Sequence, residues 1–209
     1  MLSVKKQFDR LAGKWAEYRQ TPIPLMARFL RMLAPDAVVL DAGCGSGRNI
    51  AAIAAKAKKV YAVDFSRKML ESAVGRVKQK NVAFAEADIA KLPFPDGFFD
   101  AAFYIASLHH LSRREQPRAF REMARVLKKG GLAFITVWNK RGLKGSARIG
   151  WSSGLPKTVK RYYYFFEPEE LRALAAKSGL AVEEIFYEKN GRDSEKEDAA
   201  NLCAVLRKI

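Results

Sequence analysis

The chain has 209 residues, with 38 Lys and Arg against 22 Asp and Glu and a formal charge of +16. Hydrophobic residues at 49% suffice for a real core, the length points to one domain, and no run approaches the ~18 apolar residues of a membrane span. Two cysteines, Cys44 and Cys203, exclude a disulfide framework and a four-cysteine zinc site. The positive excess points to a polyanionic partner, nucleic acid first, with a lysine-rich solvated surface as the plain alternative. The opening Met1–Arg10 lacks the apolar stretch of a signal peptide, so a cytoplasmic location is expected.

Val4, Phe8, Leu11 and Trp15 recur at helical spacing and predict an amphipathic helix over 3–19. Pro22 and Pro24 break it, and a second helix is expected over 24–33. An alternation follows. Strands are expected at 38–40, 60–63, 82–85, 100–105 and 132–138. Helices are expected at 48–56, 66–77 with Ser66 as N-cap, and 112–127 with Ser112 as cap and Gly130-Gly131 as the stop. Residues 139–160 are Gly- and Lys-rich without clear periodicity. A helix over 168–177, a strand over 182–187, a charged loop over 189–198 and a strand over 201–206 close the chain. Strands alternating with helices of this length imply an α/β fold with a parallel sheet and helices on both faces. The single domain divides into an N-terminal helical cap (1–34), a core (35–138) and a late segment (139–209) that lies on the substrate side.

The strongest local signal is Asp41-Ala42-Gly43-Cys44-Gly45-Ser46-Gly47 after the first strand, with Asp64 ending the second. Strand, glycine turn and helix make a ligand cradle at the carboxyl ends of a parallel sheet, and an acid after strand two accepts hydrogen bonds from ribose hydroxyls. Three details favour a cationic donor over a dinucleotide. The loop reads G-x-G-x-G instead of G-x-G-x-x-G, whose last position is Arg48 here. Asp41 stands where a pyrophosphate would be repelled. Asp88-Ile89 after strand three offers an acceptor and an apolar face to an adenine.

From Val38 to Trp138 the sequence resembles the class I S-adenosylmethionine-dependent methyltransferases. The resemblance includes Leu92–Asp100 entering strand four and Val126–Gly131 before strand five. It implies a Rossmann-like, mostly parallel sheet of seven strands whose last is antiparallel. It also implies that Asp41, Gly43 and Gly45 line the methionine end of S-adenosylmethionine, with Gly47 in the same cofactor-binding loop, Asp64 the ribose, and Asp88 with Ile89 the adenine. Ala106 is implied beside the cofactor, and Arg48 is a further candidate whose alternative is a solvated cation at a helix start.

Five segments resemble the tRNA wobble-uridine methyltransferases that esterify 5-carboxymethyluridine: the leader Phe8–Pro24 with its Tyr18–Pro24 stretch, Ile105–His110, Val137-Trp138, Arg161–Phe166 and Asn201–Cys203. A carboxylate is ionised at neutral pH and needs no base to attack a sulfonium methyl, so the site must chiefly orient it. Arg19 and Arg161 are the expected carboxylate-holding groups, because a guanidinium binds a carboxylate bidentately. His109 or His110 is expected to donate to the uracil or the carboxylate, and Trp138 and the Tyr162–Tyr164 run, Tyr162 first, to stack on the base. Each of these side chains has a plain alternative in the core or on the surface.

Lys140–Arg161 holds seven cations and no acid, and is read as a track for a tRNA backbone. Arg113–Lys129 holds seven cations and two acids, and is read as a solvated basic face. The acidic run Glu183–Asp198 is expected to face away from RNA. The resemblance implies a small zinc-ribbon activator that adds a strand to an exposed sheet edge. No metal site within the chain is expected, since no His/Asp cluster shows ligand spacing. Two other functions fit the same cofactor loop: a small-molecule methyltransferase of the quinone-biosynthesis type, and a non-catalytic module that binds S-adenosylmethionine or RNA.

Overall fold

The computed structural model describes residues 4–140, 143–152 and 158–209. In chain order it holds α1 (Val4–Tyr18), α2 (Met26–Leu30), β1 (Val38–Ala42), α3 (Ile50–Ala54), β2 (Lys59–Asp64), α4 (Arg67–Arg76), β3 (Val82–Glu86) and β4 (Phe99–Ile105). A 3-10 turn (Leu108–His110) leads to α5 (Gln116–Val126) and β5 (Leu127–Trp138). Then come β6 (Gly145–Trp151), β7 (Val159–Phe165), α6 (Pro168–Ala176), β8 (Leu180–Lys189), β9 (Arg192–Asp193) and β10 (Asn201–Lys208). No helix among the described residues is long and apolar enough to cross a membrane.

The main sheet runs β3-β2-β1-β4-β5-β10-β8-β9. Its first five strands pair in parallel, and β10 is antiparallel to both β5 and β8. The parallel strands are apolar on both sides because helices cover both faces. One face packs Ala119, Phe120 and Met123 of α5 with Leu171 and Ala175 of α6 against Leu40, Ala102 and Ile135. The other packs Phe29 of α2, Ile50 and Ile53 of α3 and Ala73 of α4 against Val39, Ala62 and Phe103.

The sheet carries eight strands where seven were expected. The eighth is the two-residue β9, which folds back on β8 across Asn190-Gly191. Both turn residues have positive φ, 54° and 83°, the backbone that a tight hairpin turn requires and that Asn-Gly tolerates. Residues 189–198 therefore contain a hairpin where a charged loop was expected.

Two expected boundaries also move. Ser66 caps α4 as expected, accepting from the Met69 N–H at 3.2 Å. The Ser112 hydroxyl gives no side-chain cap: it donates to Glu115 at 2.6 Å, while the Ser112 carbonyl accepts the Gln116 N–H at 3.1 Å and α5 starts at Gln116. Gly130-Gly131 does not stop the helix either. The chain turns extended at Leu127, which pairs with Phe99, and Gly131 lies inside β5 where a Cβ would press on the Asp100 carbonyl at 3.0 Å.

The largest difference lies in 139–160. Gly145–Trp151 forms β6 and pairs antiparallel with β7 as a separate two-stranded sheet. Trp151 meets Trp15 edge-on at 5.8 Å, and Val159 packs with Phe8, Leu11 and Met69. The N-terminal cap thus joins a late hairpin over the carboxyl ends of the sheet.

Candidate active site

The ends of β1, β2 and β4, the turn after β3 and the inner side of α1 enclose a cavity of ≈ 210 Å³. Asp41, Asp64 and Asp88 line its floor with Gly43, Gly45, Arg48, Ile89 and Ala106; Phe8, Trp15, Arg19, Ser107 and His110 complete the wall. A second, more open space of ≈ 530 Å³ shares Arg19, Arg48 and Ala106 with the first and is bordered by Pro22, Trp138 and Lys140. Cavity and opening are therefore contiguous.

β1 carries Asp41 into the floor almost fully buried. Its Oδ2 has no hydrogen-bond partner. Burial pushes its carboxyl up to about 7, helped by the neighbouring Asp64 and opposed by Arg48. Asp64 is buried as well and titrates near 6, raised by burial and held back by hydrogen bonds from the N–H groups of Ser66 and Gly45, at 2.8 and 2.9 Å. The acid after β2 thus also fixes the glycine turn.

At Gly43, with φ of 80°, a Cβ would stand 2.5 Å from the Ser107 Cβ. No other residue fits that approach without a shift. Gly47 does not line the cavity; a Cβ there would meet Ala73 of α4 at 3.0 Å, so its part is helix packing. Asp88 is exposed, and its Oδ1 accepts the Ala90 N–H at 2.8 Å. Ala106 has a left-handed φ of 54°, held by donation from its N–H to Thr136 at 3.0 Å.

Two guanidiniums lie over the Trp15 ring, Arg161 at 4.6 Å and Arg19 at 4.8 Å. Arg161 is 2% exposed, and its Nε and Nη1 have no hydrogen-bond partner. Burial lowers the affinity of both groups for their protons, and each also feels the other's field or the Tyr163 hydroxyl. Arg48, shifted down to about 10 by burial, adds a third cation.

The histidines are fixed by the backbone. His109 Nδ1 accepts the Trp138 N–H at 3.1 Å, which leaves its proton on Nε2. His110 Nδ1 stands 2.9 Å from the Tyr162 carbonyl, which assigns its proton to Nδ1. Burial drives His109 well below its ordinary value and His110 to about 3, so both are neutral at pH 7. His110 lines the cavity; His109 stacks on Tyr163 behind it. Trp138 borders the opening and stacks on Tyr163 at 4.7 Å. Tyr162 lines neither space, and its ring packs against the core beneath α5 and α6.

Residues 39–131 match the methyltransferase-domain family model. A chain of Encephalitozoon cuniculi named as a methyltransferase is 31% identical over 191 residues, covering 86% of this chain and 87% of its own. The chain belongs to the S-adenosylmethionine-dependent methyltransferases. A tRNA (carboxymethyluridine(34)-5-O)-methyltransferase of Schizosaccharomyces pombe is 27% identical over 88% of this methyltransferase and 81% of its own length. A relative of that name from Arabidopsis thaliana is 31% identical over 76% of this chain, which spans only 38% of that protein. Among solved structures, the complex of the Haloferax volcanii Trm112 methyltransferase activator with a methyltransferase matches with a TM-score of 0.76. It is 19% identical and covers 98% of this chain and 97% of its own, a likeness of fold.

The floor fits the cofactor. S-Adenosylmethionine carries an ammonium and a sulfonium, and a buried carboxylate with an unused oxygen is the partner such charge needs. The close approach of Gly43 to Ser107 leaves backbone, not side chain, facing the ligand. Phe8, Trp15 and Ser107 line the cavity although sequence reasoning gave them no part in it, whereas Tyr163, expected within the Tyr162–Tyr164 run to stack on the base, lines neither space. The first two read as the core stripe of α1, and only the fold turns part of that stripe toward a ligand.

Proposed function

We propose that this methyltransferase esterifies the carboxylate of 5-carboxymethyluridine at the wobble position of tRNA, in the cytoplasm. The observation that carries the reading is the buried Arg161 guanidinium with two unused donors; it lines neither space itself but lies directly behind the Phe8 and Trp15 rings that wall the cavity. A buried cation without an acceptor is costly, and a carboxylate supplies both the charge and the paired acceptors it lacks. A phenol or carbon acceptor would use neither. The names of the relatives from fission yeast and Arabidopsis support the same acceptor.

The cofactor, when bound, supplies an electrophilic methyl on a sulfonium. Asp41, through its unused Oδ2, and Asp64, through its remaining lone pairs, hold the donor. Asp88 and Ile89 border the adenine end. Arg161 and Arg19 orient the acceptor carboxylate, which is already ionised. No proton has to be removed, and the neutral His109 and His110 fit a site without general-base work. His110 Nε2 serves as an acceptor for the uracil edge, and Trp138 at the opening offers a face for the base. The apolar wall of Phe8 and Trp15 excludes water, which favours a transfer that neutralises two charges.

β3 ends the sheet, and no strand pairs with its outer edge among the described residues. That edge is the place for the added strand of a small zinc-ribbon activator, in keeping with the activator complex of the Haloferax relative. Mass spectrometry of digested total tRNA from cells lacking the gene tests the whole reading. The free acid should accumulate where the methyl ester normally stands. Unchanged tRNA, with activity recovered instead on a small phenolic acceptor, would replace it with the small-molecule reading.

A further inference from the structure

The sequence marks two basic blocks, and the structure leaves exposed cations in both. In the block after β5, Arg161 is buried, Lys144 reaches Glu167 at 3.7 Å, Lys140 and Lys160 are exposed singly, and Arg141 and Lys157 lie outside the described residues. In the block around α5, Arg125 pairs with Glu122 and Asp96, and Lys128 pairs with Asp100. Arg113 reaches Glu170 at 3.7 Å, and Lys129 is exposed beyond the helix, which leaves three exposed arginines: Arg114, Arg118 and Arg121. No carboxylate among the described residues pairs with any of them.

Both acids of this block are engaged elsewhere. Glu115 Oε2 accepts from the Ser112 N–H at 2.8 Å and from its hydroxyl at 2.6 Å. Glu122 accepts from Arg125 and from the Leu92 N–H at 2.7 Å. The stripe is thus a run of like charge without internal counter-charge. It is not needed for packing, since α5 buries Ala119, Phe120 and Met123 on its other side. Arg118 and Arg121 stand three apart on α5, where such neighbours are ~5–6 Å from one another, and Arg114 lies in the turn just before the helix; the run thus offers successive guanidiniums to successive backbone phosphates. The stripe also begins at the active site: Leu111 and Glu115, on either side of its start, line the cavity.

We infer that Arg114, Arg118 and Arg121 form a docking track for the phosphate backbone of RNA. The inference rests on the tRNA reading above for the identity of that RNA, and it assigns function to a surface that composition alone leaves as solvated. Such contacts carry no sequence information; they fix the register of the RNA so that one nucleotide reaches the cavity.

The test is fluorescence anisotropy with labelled, unmodified tRNA between 50 and 200 mM salt. The triple variant Arg114→Ala, Arg118→Ala, Arg121→Ala should lower the slope of log K against log salt by about 2–3, at ~0.7–0.9 per phosphate contact. Its KM for tRNA should rise at least tenfold, while kcat and affinity for S-adenosylmethionine stay unchanged. The triple Arg→Lys variant should keep the slope. As a charge-matched control, Lys56→Ala, Lys58→Ala, Lys80→Ala alters exposed lysines at the end of the sheet away from the cavity and should leave the slope unchanged. Equal loss in both alanine triples would reduce the stripe to net charge and overturn the inference. So would an intact slope in the arginine triple, or tRNA binding intact with binding to anionic phospholipid vesicles lost. Because the RNA in the binding assay is unmodified, the slope is read apart from transfer: loss of the slope in the arginine triple, with no ester formed by the parent on carboxymethyluridine-bearing tRNA, would sink the acceptor reading and leave the track standing.

Discussion

Replacing Asp41 with Asn should stabilise the cofactor-free protein while weakening its hold on the cofactor. The carboxyl titrates near 7 in the folded chain and at its ordinary 3.8 when unfolded. The folded state therefore binds this proton more tightly, and stability falls as pH rises from 3.8 to 7, with the full cost present above 7. The gap of about 3 pH units, at ~1.36 kcal/mol each, sets an upper bound of about 4 kcal/mol. An amide at the same place escapes that cost but leaves a buried polar group unsatisfied, at ~1–3 kcal/mol. The net gain is then ~1–3 kcal/mol at pH 8 and about zero at pH 5, where most of the penalty is absent. For a chain of this size that is roughly 2–10 °C in Tm. Thermal melts of both proteins at pH 5 and pH 8, without cofactor, measure the difference. Calorimetry should show S-adenosylmethionine binding ~10–100-fold weaker in the variant, the loss of one charge-assisted contact. A Tm difference that is the same at both pH values, or a variant less stable at pH 8, would refute the reasoning.

Four further outcomes are expected. Arg161→Ala should lose at least a hundredfold in transfer to carboxymethyluridine-bearing tRNA with cofactor affinity within threefold of the parent, and Arg161→Lys should restore little, because a point charge lacks the paired donors. In the parent, cofactor affinity should fall as pH drops below about 7, because protonated Asp41 and then Asp64 no longer neutralise the donor. kcat at saturating cofactor should show no inflection between pH 6 and 8, since His110 titrates near 3; an inflection near 6.5 that His110→Gln removes would assign proton transfer to it. Gly43→Ala should abolish measurable cofactor binding through overlap with Ser107 and ~1–2 kcal/mol of backbone strain. Ser107→Gly should relieve the overlap alone, so the double variant should regain part of the affinity, as read by calorimetry.

The cofactor half of the molecule was legible because its chemistry is local. Asp41, the glycine turn, Asp64 and the Ser66 cap lie within 26 consecutive residues, and each acts on near neighbours in the chain. The acceptor half was not, because it is assembled from both ends. β6 has an alternating burial pattern, yet Gly145, Ser146, Ala147 and Gly150 dilute it, and its stabilising partners are Trp15 and Tyr18 of α1. Phe8 and Trp15 carry the same helical spacing whether they meet a core or a ligand. The Asn190-Gly191 hairpin had a signal in its turn dipeptide, but its strand of two residues is too short for any periodicity. Gly130-Gly131 was misplaced as a helix stop because a close backbone approach between β4 and β5 leaves no trace in one dimension.

The contiguous floor and the composite ceiling have an evolutionary consequence. The residues proposed to grip the methyl donor lie between Asp41 and Ala106, whereas α1 and the β6–β7 hairpin, over a hundred residues apart in sequence, brace each other through Trp15 and Trp151. Selection on the acceptor can therefore reshape the ceiling without disturbing the donor's grip, but only by altering both of its halves together. Chimeras between relatives should accordingly keep activity when the two halves are swapped as a matched set and lose it when either is exchanged alone.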